Sequence, residues 1–175
     1  MEGINIQFYK TRYTEFIIGS YDKKLCLLDF RYRKMRGVVD NRIQRGIGAE
    51  YVERRDEIID SAISQVDEYL VGGRRIFDVP LLVVGSYFQK KVWNALMEIK
   101  YGETSTYSDL AKTVGDKEAI KAVAGANGAN SISLIIPCHR IIGTHGELVG
   151  YGGGLPLKKR LLEIEQLEDK QLVML

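Results

Sequence analysis

The sequence predicts an α+β protein in two parts. Residues 1–85 form a strand-and-helix N-terminal half, and residues 86–175 a mainly helical C-terminal half containing a helix-turn-helix. Three observations predict this. TEFIIGSYDKKLCLLDF places two apolar stretches around Ser20–Lys24, as a β-hairpin does. Ile58, Ile59, Ala62, Ile63, Val66, Tyr69 and Leu70 fall on one helical face, which Gly72-Gly73 ends. Beyond Gly85, short helical patterns alternate with glycines at turn spacing.

The elements follow in order. Residues 31–50 are basic and glycine-bearing (RYRKMRG, QRGIG) and read as a solvated, mobile loop. RRIFDVPLLVVG reads as an extended segment running to a boundary near Gly85. Phe88, Val92, Trp93, Leu96 and Ile99 share a helical face closed at Tyr101-Gly102. TYSDLAKTVG is a short helix between hydroxyl residues and Gly115, and Asp116 is expected to cap a second helix through KEAIKAVAGAN. Such a pair joined at a glycine is the pattern of a helix-turn-helix, although many helix pairs only pack. Ala119, Ala122, Ala124, Gly125 and Ala126 leave the second helix little bulk, so its backbone can approach a groove closely. Lys117 and Lys121 add positive charge. SISLII then reads as a buried strand broken by Pro137. VGYGGGLPLKKRLLEIE gives a glycine loop and a final helix, with Leu161, Leu162 and Ile164 inward and Lys158–Arg160 toward water.

Composition narrows the class. The chain has 175 residues, 45% hydrophobic and 27% charged, the profile of a soluble globular protein. Its longest apolar runs, VPLLVVG and SLIIP, are too short to span a bilayer, and MEGINIQFYK lacks the basic-then-apolar order of a signal peptide. A net charge of +2 permits nucleic-acid binding without arguing for it. Two cysteines make no disulfide framework, so a reducing cytoplasm is the simpler setting and Cys138 is expected free. Cys26, in the second hairpin stretch, reads as a small buried hydrophobe. A zinc site would have to gather both cysteines and both histidines from scattered positions, so no metal is expected, and no other cofactor.

The sharpest motif is IIPCHRIIG, Ile135–Gly143. It sets a thiol, an imidazole and a guanidinium side by side. Thiolate is the reactive form of cysteine, and a nearby imidazole can take the proton directly or through a water. The imidazole in turn needs a carboxylate favouring its charged form, and Arg140 can pair with a carboxylate to lock the turn. Taken bare, the dipeptide fits a buried structural cysteine as well as a nucleophile.

PCHRIIG, with GANSISLI before it and VGYGGG after it, resembles the O6-alkylguanine-DNA alkyltransferase family. FQKKVWNALMEIKYGETSTYSDLA, KAVAGANGANSISLIIPCHRIIG and GYGGGLPLKKRLLEIE extend the match over residues 88–165. The resemblance implies a ribonuclease H-like N-terminal domain and a winged helix-turn-helix-like C-terminal one. It implies repair of double-stranded DNA by irreversible, single-turnover transfer of the alkyl group of O6-alkylguanine to Cys138. His139 then matches the base acting through a water, Glu165 its carboxylate, Asn130 the brace of the turn, and Tyr107 the residue that rotates the phosphate and protonates the leaving guanine. Ser133, Leu148, Val149, Tyr151 and Gly152 match the base pocket. Tyr107, Ala119, Lys121, Ala122, Val123, Asn127 and Arg140 match the DNA-facing set.

The O6 carbon is stacked within the duplex, so the chemistry requires the nucleotide to be flipped out. The small-residue helix fits a minor-groove contact that ignores sequence. A monomer is expected, with cooperative binding on DNA left open, as is O4-alkylthymine. Two departures stand out. Lys121 replaces an arginine that fills the gap left by the base, and Ser131 and Ser133 stand where relatives often carry proline. Rival readings are a non-catalytic reader of alkylated DNA, a Cys-His hydrolase, and a plain DNA-binding regulator.

Overall fold

The computed structural model describes residues 2–173, with side chains through Gln166. Its N-terminal half is laid on a four-stranded sheet in the order β3-β2-β1-β4. Strands β1 (Ile4–Lys10), β2 (Glu15–Tyr21) and β3 (Lys24–Phe30) form an antiparallel meander, and β4 (Tyr51–Glu53) runs parallel to β1. The expected hairpin is present. Asp22 and Lys23 form its tip with φ of 49° and 57°, the left-handed pair that matches strand twist.

Residues 31–50 are not a loop. Helix α1 (Arg36–Ile47) occupies most of them. Val39 and Ile43, four apart, are its buried stripe, and Gly48 closes it at φ 79°. So few apolar residues among so many arginines hide the helical period. The arginines are not simply solvated either: Arg36 pairs with buried Asp29 at 3.0 Å and with Asp40 one turn on.

Helix α2 (Glu57–Leu70) has the predicted face and is capped by Asp56, whose carboxylate accepts from Ile59 N at 2.9 Å. Helices α3 (Tyr87–Met97), α4 (Tyr107–Val114) and α5 (Ile120–Gly128) follow the linker. Ser86 and Gln89 form a capping box on α3, Thr106 caps α4, and Gly115 ends α4 at φ 96°. Asp116 does not cap α5. Its carboxylate accepts from Glu118 N, closing a turn ahead of a helix that starts without a side-chain cap. A two-stranded parallel sheet, β5 (Ser105–Thr106) and β6 (Ile141–Ile142), and the last helix α6 (Leu155–Val173) complete the fold. Among the described residues no helix is long and apolar enough to cross a membrane.

SISLII is buried but is not a strand. Ile132 makes one isolated bridge to Leu28, and the chain then turns through Leu134 at φ +71°. The Asn130 side chain supplies what a neighbouring strand would have supplied: Oδ1 accepts from Ile132 N at 3.0 Å, and Nδ2 donates to Ile136 O at 2.8 Å. Pro137 leads into a 3-10 turn, Cys138–Arg140.

One apolar core runs through both halves, with Phe16, Ile18, Leu25 and Leu28 joining Val92, Trp93, Leu96, Ile136 and Leu161. A smaller core lies among Ile4, Ile17, Leu27, Val39 and Ile43 and contains Cys26. Strand β3, at the sheet edge, is the seam. Leu28 N donates to Ser131 O at 2.9 Å and Ser133 N to Leu28 O at 2.7 Å, while Leu25 N donates to Pro80 O at 2.7 Å.

Candidate active site

Cys138 is free and 6% exposed at the start of the 3-10 turn. It lines a cavity of about 240 Å³ together with Phe30, Arg33, Tyr107, Asn127, Asn130, Ser133, Tyr151 and Gly152. Burial pushes its thiol pKa up, with partial relief from the Asn130 side chain. The resting sulfur is therefore held in its protonated form more firmly than a free thiol. Attack by this sulfur needs a base.

His139, next to it in sequence, pairs with Glu165. Both are fully buried, and Nε2 of His139 lies 2.7 Å from Oε1 of Glu165. Burial alone would raise the Glu165 carboxyl, but hydrogen bonds from His139 and Arg140 outweigh it and hold the pKa down at about 2. An ionised carboxylate only accepts, so Nε2 carries the imidazole proton and Nδ1 is the bare nitrogen. Among the described residues Nδ1 has no hydrogen-bond partner. Burial lowers the His139 pKa against the pull of Glu165, which keeps the ring neutral and able to accept.

Arg140, expected in the DNA-facing set, pairs with a carboxylate as its chemistry suggested. Its Nε and Nη2 each donate to Glu165 at 3.0 Å, Nη1 donates to Ile99 O at 2.7 Å, and the residue is buried. Sequence neighbours thus divide labour across one turn: Cys138 faces the cavity, while His139 and Arg140 face Glu165.

On α5, Lys121 and Ala122 are exposed and Ala119 is half-buried. Val123, expected at the DNA, is 0% exposed and packs into the core, because it lies on the helix face opposite Lys121 and Ala122. Asn127 is buried at the cavity wall with its Oδ1 unpartnered. Tyr107 lines the same cavity from the start of α4, with its phenol pKa raised by burial. Tyr151 closes the wall, its ring edge-on to Phe30 at 5.3 Å and its buried hydroxyl unpartnered. Leu148 lies elsewhere, in a cavity with Ile142 and Leu162, and Val149 contributes its carbonyl to Lys158.

Three participants were not visible in the sequence. Lys158, expected in water, is fully buried; its Nζ donates to Val149 O at 2.6 Å and Gly150 O at 3.3 Å, fixing the loop that carries Tyr151. Arg33, assigned to the loop, reaches across the seam: Nη1 binds Asp29 and Asn130 O at 3.2 Å, and Nη2 binds Gly128 O. The bare Cα of Gly152 leaves it room, since a Cβ there would meet the Arg33 Cζ at 3.0 Å. Tyr69, read as core, donates to Glu165 Oε1 at 2.7 Å. Only Tyr69 carried a signal, as a phenol on a buried face needs a partner.

Fold and site define a class: a helix-turn-helix protein whose cavity-facing thiol sits beside a histidine–carboxylate pair. Residues 87–167 match the family described as 6-O-methylguanine DNA methyltransferase, DNA binding domain. The chain is 37% identical over 157 residues to the inducible methylated-DNA–protein-cysteine methyltransferase of Bacillus subtilis, covering 90% of this chain and 87% of that one. It is 48% identical over 110 residues to the methylated-DNA–protein-cysteine methyltransferase of Methanosarcina acetivorans, covering 63% of this chain and 70% of that one. The crystal structure of Mycobacterium tuberculosis OGT in complex with DNA superposes with a TM-score of 0.78 at 32% identity, covering 93% of each chain. The chain belongs to the methylated-DNA–protein-cysteine methyltransferase family.

Proposed function

We propose that Cys138 is the alkyl acceptor in this chain's reaction, the repair of DNA by alkyl transfer to cysteine, and that O6-alkylguanine in a flipped-out nucleotide is the substrate. One observation carries the reading: a single buried thiol opens on a cavity of about 240 Å³ while the adjacent histidine turns its bare nitrogen away from its glutamate. The volume suits one base, and a base reaches it only by leaving the stack.

The steps balance without a cofactor. The thiol proton passes to Nδ1 of His139 through a bridging water, and Glu165 stabilises the imidazolium. Sulfur attacks the alkyl carbon, a C–S bond forms and the C–O6 bond breaks. The guanine leaves with the bonding pair and takes up a proton, for which Tyr107 is the donor. The thioether is stable, so each molecule acts once. Asn130 holds the turn that aims the sulfur. Lys121 and Ala122 meet the duplex from the exposed face of α5, with half-buried Ala119 just ahead of it. The protein acts as a monomer in the reducing cytoplasm, where both cysteines stay free. The part beyond residue 85 carries the DNA contacts and the acceptor, and residues 1–85 buttress it.

Mass spectrometry of the intact protein after incubation with duplex DNA containing O6-methylguanine tests this. One added methyl group, located on Cys138, with no further turnover, is the expected result. Turnover without protein modification would point to a hydrolase, and binding without modification to a reader.

A further inference from the structure

The relay carboxylate is held from both halves of the chain. Glu165, on α6, takes His139 and Arg140 from the 3-10 turn and Gly102 N at 3.3 Å from the loop after α3. Tyr69 comes from α2, far away in sequence, and its hydroxyl donates to Oε1 at 2.7 Å, the same oxygen that faces His139. The phenol oxygen also lies 3.3 Å from His139 Nε2. Tyr69, His139 and Glu165 are each fully buried. The Tyr69 ring is set by Phe77 at 5.5 Å and by an edge contact from Tyr101 at 6.3 Å. This hydroxyl is therefore fixed.

Resting on the relay reading, we propose that Tyr69 is a positioning residue of the reaction. Its hydroxyl anchors Glu165 Oε1 against His139 Nε2 and draws charge from that oxygen, so that His139 keeps its proton on Nε2 and stays a neutral base. Burial, and next the Glu165 charge, raise the Tyr69 pKa well above the usual phenol value, so the hydroxyl remains a donor throughout the working pH range. Four donor groups share Oε1: Tyr69, His139, and Nη2 and Nε of Arg140 at 3.0 and 3.3 Å. A carboxylate oxygen offers about two lone-pair sites. Removing one donor lets the carboxylate pull harder on the imidazole proton, and the His139 pKa rises. Other charged groups facing His139 are Arg140 beside it and Lys158 on α6, and both disfavour the imidazolium. Tyr101, packed on Tyr69, has Arg140 5.8 Å and Arg75 5.0 Å from its ring centre. Arg140 already donates to Oε1, so it is no new donor there when the hydroxyl is lost.

Tyr69→Phe keeps the ring and removes only the hydroxyl. The rate of single-turnover transfer falls at acid pH as His139 protonates. In Tyr69→Phe this fall should move to higher pH by about half to one pH unit, with the plateau at high pH kept within about tenfold. A tyrosine that merely fills the core would lower the rate by one factor at every pH and leave the midpoint where it was.

Nitrogen-15 spectra of the imidazoles supply a second measurement independent of transfer. With two histidines in the chain, His145→Gln leaves His139 alone in the spectrum. The Nε2-protonated tautomer is expected in the native ring, and a raised His139 midpoint in Tyr69→Phe. An unmoved His139 midpoint overturns the proposal, whatever happens to the overall rate. If the native protein fails to methylate Cys138, the proposed function fails instead, and the histidine spectra still decide the part played by Tyr69.

Discussion

Replacing Glu165 with glutamine removes one charge and almost no volume, and its consequences can be worked from the contacts. Glu165 accepts from His139, Tyr69, Arg140 and Gly102 N. An amide can copy one oxygen, but its NH2 group would confront donors at the other. The carboxyl titrates at about 2, against 4.5 for a free glutamate. At 1.36 kcal/mol per pH unit this amounts to about 3 kcal/mol in favour of the charged form. A depressed carboxyl stabilises the fold above its unfolded pKa, so this contribution is full above pH 4.5 and is lost as pH falls toward 2. Glutamine lacks it at every pH and also leaves the buried Arg140 guanidinium without a counter-charge. The expected loss is about 3–5 kcal/mol, or a melting point lower by roughly 6–20 °C for a chain of this size. Transfer should slow by roughly tens to thousands of fold at neutral pH, because the imidazolium loses its partner. It should recover in part at higher pH as the thiol ionises unaided. The assay is quenched single-turnover transfer from O6-methylguanine DNA, read by protein mass, well below the melting point of the variant. A rate within twofold of native from neutral to alkaline pH, with an unchanged melting point, would refute both the relay and the buried-pair reasoning.

Cys138→Ser should abolish transfer and leave duplex binding nearly intact, whereas Cys26→Ser, in the smaller core, should transfer normally; peptide mapping of the methyl group checks both. Lys121→Ala should slow transfer from duplex DNA at saturation far more than reaction with free O6-benzylguanine, which needs no flipping, and Lys121→Arg should match or exceed native. If Lys121→Ala loses only affinity, in a salt-dependent way, the lysine is a phosphate contact. Lys158→Met keeps the buried stem but strands the Val149 and Gly150 carbonyls, at a cost of about 1–3 kcal/mol. It should slow duplex and free-base reactions alike, by roughly tenfold, and equal rates in native and variant would remove the loop from its role.

Helix α4 was legible because it carries its own punctuation, hydroxyl residues at its start and Gly115 at its end, and α3 because Phe88, Val92, Trp93 and Leu96 share one face. Cys138, His139, Glu165 and Asn130 were legible only through the motif, since no periodicity places α6 against the 3-10 turn. What stayed hidden depends on long-range pairing. Helix α1 looked like loop because Arg36 is neutralised by Asp29 and Asp40, and Arg42 is taken up by the carbonyls of Val84 and Ala129, facts of folding rather than of local sequence. Lys158 looked like surface because two carbonyls nine and eight residues upstream take its charge inside. SISLII looked like a strand because the alternation of apolar residues does not show that Asn130 will satisfy the backbone instead.

The seam at β3 has a further consequence for colloidal behaviour. An edge strand with free amides and carbonyls is a template on which other chains can add. Here Leu81 and Ile132 bridge that edge from other parts of the same chain, and the opposite edge is the three-residue β4. The segment that leads to Cys138 is thus also a stopper on an apolar strand, Leu25–Phe30, that would otherwise be sticky. Conditions that pry residues 131–133 from Leu28 should therefore yield precipitate rather than a soluble, inactive monomer, and activity and solubility should be lost together.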